Sequence, residues 1–133
     1  MGIRIGVNEG AGDPQYRWSV WMYDRSQAEA AKFLDDAQYL HLAEQMQALA
    51  READPSHPTA HDVKRIDTVY ELRDGNGILY PHDVRLFFGI DDDRRAIVTL
   101  GTREKKGQNL PDSVYRLMKI RWRKYLDGEY GFP

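Results

Sequence analysis

The sequence predicts an α+β fold: a small antiparallel-rich sheet with a long N-terminal helix and a C-terminal helix. Three observations predict it. A long segment after Ser26 repeats apolar residues at steps of three and four. Three short runs rich in β-branched and aromatic residues follow between residues 68 and 100, separated by Gly, Asn and Asp. A second helical pattern opens at Pro111 and continues to Leu126. The first and third carry the period of an amphipathic helix, and the second that of strands joined by tight turns.

The elements follow in order. Residues 1–15 contain Gly2, Gly6, Gly10, Gly12 and Pro14 and read as a flexible lead-in with a short strand at 3–7. Residues 16–23 (YRWSVWMY) alternate as a strand, with Trp18, Val20 and Met22 on one face and Trp21 and Tyr23 on the other. Ser26-Gln27-Ala28-Glu29 has the form of a capping box. Behind it Phe33, Ala37, Leu40, Ala43 and Met46 form one stripe, with a bend or break near Asp35-Asp36 and an end at Asp54-Pro55. After a loop at 56–60, residues 60–66 read as a short helical turn. Strands are expected at 68–73, 83–90 and 95–100, and the final helix turns Val114, Leu117, Ile120 or Arg121, and Leu126 inward. All helices are expected on one side of the sheet. The domain organisation is a lead-in over 1–15, a single domain over 16–128 and a frayed tail over 129–133. Trp21, Tyr23 and Trp122 are candidates for a partner interface.

Composition removes several function classes. The chain has 133 residues and no cysteine, which excludes disulfides, thiolate catalysis and Cys-based metal sites. No apolar run approaches the ~18 residues of a membrane span, and the first residues lack the apolar stretch of a secretory signal. A cytoplasmic protein without a membrane partner is expected. The net charge of −2 hides an asymmetry. Residues 1–61 carry 5 Lys/Arg against 9 Asp/Glu, whereas residues 94–125 carry 10 against 2. A polyanion would meet that local field rather than the sum. A solvated helix face plus a basic loop is the alternative.

Alternation places Arg73 on one strand and Arg85 on the next on a shared, open sheet face, with Phe87 beside them. A cross-strand ion pair of Arg73 with Glu71 or an aspartate, and a plain exposed strand position for Arg85, are the other readings. Arg103, Lys105 and Lys106 leave the following strand at the rim of that face. Arg grips a phosphate through two parallel hydrogen bonds, Lys acts as a movable point charge, and an aromatic ring stacks an unpaired base. RNA carries its own nucleophile, the 2′-OH, so cleavage needs alignment, a proton acceptor and cations where negative charge develops. His82, at the start of the strand that carries Arg85, can reach the same face as a general acid or base; a plain loop histidine is the other reading. His57 and His61 stand four apart, but Pro58 between them and the lack of a further ligand argue against a metal pair. Asp91-Asp92-Asp93 reads as a charged hairpin turn. No cofactor and no metal are expected.

Taken together, Glu71-Leu72-Arg73, Arg85 with Leu86-Phe87-Phe88, the aliphatic run 97–100, Lys105-Lys106, Pro111, and Arg121 with Tyr125 form an ordered set over residues 70–126. That segment resembles the RelE/HigB-type toxins of bacterial toxin–antitoxin systems, and within them the phage-derived, HigB-like branch. The strand at 17–23 and the helix after it fit the family's opening more loosely. The resemblance implies a RelE/ParE-like fold related to small microbial ribonucleases. It also implies metal-independent cleavage of mRNA, usually on the ribosome, and a cognate helix-turn-helix antitoxin. By position, Arg73, Arg85, Lys105 and Lys106 would be catalytic, with Arg103, Phe87 and His82 binding RNA. Two departures stand out: Arg103 replaces an aromatic common before the lysines, and the chain ends without a tail aromatic of the catalytic kind. The missing tail aromatic and the acidic N-terminal half favour a second reading, a non-catalytic binder on the same fold. Such a binder would take a protein target, as the gyrase-poisoning relatives do. An inactive prophage remnant is the third.

Overall fold

Asp35 decides the architecture of the N-terminal half. Its carboxylate accepts a hydrogen bond from the Gln38 amide N–H at 2.8 Å, and the Gln38 side chain accepts from the Asp35 N–H at 2.9 Å. This reciprocal cap starts a new helix and breaks the long helical segment where a bend or break was expected, at Asp35-Asp36. In the computed structural model, which describes residues 3–5 and 16–131, helix α1 spans Asp24–Ala31 and α2 spans Asp36–Arg51. The Ser26-x-x-Glu29 pattern does not cap. Helix α1 begins at Asp24, directly after strand β2 (Ser19–Tyr23), and Ser26 is buried with its hydroxyl 3.2 Å from that of Thr102.

The remaining strands are β1 (Ile3–Ile5), β3 (Asp62–Ile66), β4 (Val69–Asp74), β5 (Val84–Asp91) and β6 (Ala96–Glu104), with α3 at Asp112–Leu126. Their order in one six-stranded sheet is β1-β2-β6-β5-β4-β3. Only β2 and β6 run parallel among these pairs, which is possible because α1, α2 and the meander lie between them in sequence. The α+β class is as expected, with an antiparallel-rich sheet.

Residues 62–66 form a strand, not a helical turn. β3 is an edge strand with little apolar content, so its period is weak in the sequence; its pairing comes from a two-residue turn in which Asp67 takes φ +56°. The helices also do not share one side. Helix α2 and Ala30 of α1 cover one face, in a core with Val20, Leu72, Leu86, Phe88 and Ile97. Helix α3 covers the other, in a second core with Tyr23, Phe87, Val98 and Leu100. The inward stripe of α3 is Met118, Arg121, Trp122 and Tyr125, while Ile120 and Leu126, expected inward, are 51% and 59% exposed.

Two glycines let α3 lie close to the sheet. A Cβ at Gly89 would stand 2.2 Å from the Trp122 ring, and one at Gly101 would stand 2.3 Å from Met118. A bulge at Leu100 breaks the β5–β6 register between Phe87 and Phe88 and adds local twist. Burial removes Tyr23 and Trp122 from the candidate interface; their rings belong to the second core, and Trp21 is half-buried. Within the expected tail, Tyr130 stacks on Tyr23 with centroids 4.3 Å apart. Residues 6–15 of the lead-in and 132–133 of the tail lie outside the described residues.

Candidate functional site

Strand register builds the site. Asp62 of β3 pairs with Arg73 of β4, Arg73 with Arg85 of β5, and Arg85 with Arg103 of β6. Three arginines therefore stand in one row across three adjacent strands, on the α3 face. Directly opposed side chains have Cβ atoms about 5 Å apart, and like charges at that distance destabilise a sheet unless something offsets them. Arg103 is thus a strand residue, since β6 runs four residues beyond the Leu100 at which the third strand was expected to end.

Each guanidinium holds a carboxylate. Arg73 Nε donates to Glu71 Oε1 at 2.8 Å. Arg85 donates through Nη1 and Nη2 to both oxygens of Asp83, at 2.5 and 3.3 Å, and through Nη1 to the Val84 carbonyl at 3.1 Å. Arg103 Nη1 lies 2.5 Å from Glu29 Oε2. Glu29 also accepts from both amino groups of Arg121, at 3.0 and 2.9 Å, and from the Thr102 N–H at 3.1 Å. Burial works against the charge on Glu29, but the hydrogen bonds and fields of Arg121 and Arg103 outweigh it and hold this carboxyl below the usual range. The Glu71 hydrogen bond raises Arg73 further.

Accessibility differs along the row. The side chains of Arg73 and Arg103 are 34% and 27% exposed, whereas Arg85 between them is 9% exposed. Of the three carboxylate partners, Glu71 is 1% exposed, Glu29 12% and Asp83 47%. Asp83 is therefore the counter-ion that an incoming anion can replace. Tyr115 of α3 lies at the same place, edge-on to Phe87 with centroids 5.8 Å apart. Burial and the neighbouring Glu71 push its phenol up, so it remains protonated and can donate. Glu71 Oε2 is buried with no partner among the described residues.

The basic loop adjoins the row. The Lys105 N–H donates to the Asp83 carbonyl at 2.7 Å, which ties the loop to the segment that holds Arg85. Lys106 is 82% exposed, with its ammonium 3.6 Å from Glu104.

Two expected contributors stand elsewhere. Phe87 is fully buried under α3, so it offers no ring face to a base; alternation places it correctly beside Arg85, but the helix covers that part of the face. His82 turns to the opposite side of the sheet. Its Nδ1 is 2.5 Å from Glu104, which stands across from Val84 of the first core, and its ring packs on Phe33. That hydrogen bond lowers Glu104; burial opposes it and the Lys106 charge adds to it. The pairing of Arg73 with Glu71 is the alternative the sequence offered for Arg73; sequence reasoning missed Glu29, Tyr115 and Arg121 as parts of the cluster. Glu71-x-Arg73 carried a signal, because strand residues two apart share a face. Glu29 and Arg121 meet only through the packing of α1 and α3.

No protein-family model matches the chain, and no curated protein matches it. Among solved structures, the chain is similar to one in the toxin–antitoxin complex RelBE2 from Mycobacterium tuberculosis. The identity is 16% and the TM-score 0.47, over 67% of this chain and 99% of that one.

Proposed function

We propose that the protein is a RelE/HigB-like toxin of a toxin–antitoxin pair, an endoribonuclease that cleaves mRNA, including mRNA held on the ribosome, without a metal ion. The observation that carries this reading is the row Arg73–Arg85–Arg103 with Lys105 and Lys106 at its end. RNA supplies the 2′-oxygen nucleophile. Its proton passes to solvent with the assistance of Lys105 or Lys106, which also hold the RNA. The 2′-oxygen bonds to phosphorus, the bond to the 5′-oxygen breaks, and the leaving oxygen takes up a proton. Arg73 and Arg103 bind the phosphodiester from the open flanks. The phosphate displaces Asp83 and takes over the paired hydrogen bonds of Arg85, which then stabilises the developing negative charge.

The test is induced expression of wild type, Arg85→Ala and the Lys105/Lys106 double-alanine variant, with growth recorded and transcript 5′ ends mapped. Growth arrest with new 5′ ends in wild type alone supports the reading. Arrest with intact transcripts points instead to a binding protein. One observation favours that second reading: a cleft of about 740 Å³ runs along the outside of α3 at the far end of β4, where exposed Ile120 and Leu126 sit among Arg116, Lys119 and Arg123. In the toxin reading this surface takes an acidic, amphipathic segment of a helix-turn-helix antitoxin.

A further inference from the structure

Helix α3 brings one neutral donor to the arginine row. Glu71 pairs with Phe87 and Arg73 with Arg85 in the β4–β5 register, so these four side chains form two neighbouring rungs on the α3 face. Tyr115, in the first turn of α3, stands at the Glu71–Phe87 rung, its ring at 82° to that of Phe87. It is half-buried, and its phenol feels the charges of Glu71, Arg73 and Arg85. A phenylalanine would pack on Phe87 equally well, so packing does not account for the hydroxyl.

Nor is the hydroxyl committed to Glu71. Glu71 Oε1 accepts from Arg73 Nε, and Oε2 has no partner among the described residues. The Tyr115 hydroxyl makes no hydrogen bond of normal length with a described residue, yet it is not among the buried oxygens that lack one, Glu71 Oε2 and Thr99 Oγ1; it is therefore open to solvent. Arg73 is in a similar position. Its Nε is spent on Glu71, whereas Nη1 and Nη2 make no hydrogen bond among the described residues, on a side chain 34% exposed. Two open guanidinium donors and an open phenol donor thus stand side by side. A phosphodiester carries only acceptors and can take all of them. Glu71 opposes an anion here, but its charge is already paired with Arg73, and Arg85 and Arg103 add two further cations to the row.

We propose that Tyr115 is a substrate-binding residue of this row, and that its phenol donates to a non-bridging oxygen of the phosphodiester that Arg73 holds. The inference rests on the RNA reading above and adds a donor to the same site. Glu71 holds Arg73 from the buried side, and Tyr115 closes on the phosphate from α3. Because the phenol is neutral, it adds affinity without releasing a counter-ion.

The experiment is a fluorescence-anisotropy titration of the full chain with a labelled single-stranded 2′-deoxyoligonucleotide, which carries phosphodiesters but no 2′-OH and so is bound without being cut. Wild type, Tyr115→Phe and Tyr115→Leu are compared over a range of salt. Tyr115→Phe should melt like wild type and bind on the order of 10-fold more weakly, from one lost hydrogen bond to a charged group. It should keep the wild-type slope of log affinity against log salt. In wild type labelled at tyrosine Cζ, the NMR signal of Tyr115, identified by its absence from Tyr115→Phe, should shift on saturation. Full affinity in Tyr115→Phe with a loss only in Tyr115→Leu would mean that the ring stacks a base, and would overturn the proposal. A weaker Tyr115→Phe with a shallower salt slope, a silent Tyr115 signal, or no binding by wild type would overturn it too. A wild type that leaves RNA intact but shows the phenol-dependent affinity would refute the nuclease reading alone. A wild type that cuts RNA but binds no more tightly than Tyr115→Phe would refute this inference alone.

Discussion

Glu29→Gln is the most informative single change. It keeps the size of the side chain and one acceptor oxygen, and removes the charge that Arg103 and Arg121 share. Arg121 and Glu29 are only 8% and 12% exposed, so water cannot replace the lost charge for Arg121. Removing one partner of a buried ion pair costs about 3–5 kcal/mol. Arg103 can turn partly to solvent and the glutamine carbonyl still accepts one bond, so we expect a loss of about 3 kcal/mol, or about 10 °C in Tm. Urea unfolding followed by tryptophan fluorescence measures it, with an unchanged m-value. The pH dependence gives a second handle. The folded-state carboxyl of Glu29 is depressed, so its stabilisation is complete above the ordinary value of 4.5 and disappears as pH falls through the lower folded value. The gap between wild type and Glu29→Gln should therefore be full at neutral pH and close in acid. A loss under about 1 kcal/mol at neutral pH, or a gap that stays constant into acid, would refute the assignment of Glu29 as the clamp between α1, β6 and α3.

Three further outcomes are expected. Gly89→Ala should destabilise by about 1–3 kcal/mol in a thermal melt, because its Cβ meets the rigid Trp122 ring, while Gly101→Ala should cost less, because the flexible end of Met118 can give way. Phe87→Ala should lower stability by about 3–5 kcal/mol, as expected for a ring in the second core; a stable variant that has lost only RNA affinity would contradict its burial. Lys105→Ala with Lys106→Ala should leave Tm unchanged and reduce the slope of log affinity against log salt for single-stranded RNA by about 1.4, the value for two lost phosphate contacts.

What the sequence by itself determined was local. Alternation along 84–90 told which side chains of β5 share a face, and so put Arg73 and Arg85 together. Turn residues and Pro111 separated the meander from α3, and the period of three and four found the helical segments. These signals reside within a few residues of chain and survive without a partner. Tertiary structure decided the rest. It covered the second sheet face with α3, which buried Phe87 and made Arg121 an inward residue. It extended β6 to Glu104, because a strand ends where its neighbour stops offering hydrogen bonds, and this carried Arg103 into register with Arg85. Likewise β3 formed by pairing with β4 where its own polar sequence held little strand signal. The capping box at Asp35 won over the one at Ser26 because Ser26 and Glu29 were taken up by Thr102, Arg103 and Arg121. Those partners stand more than 70 positions away, beyond any local pattern.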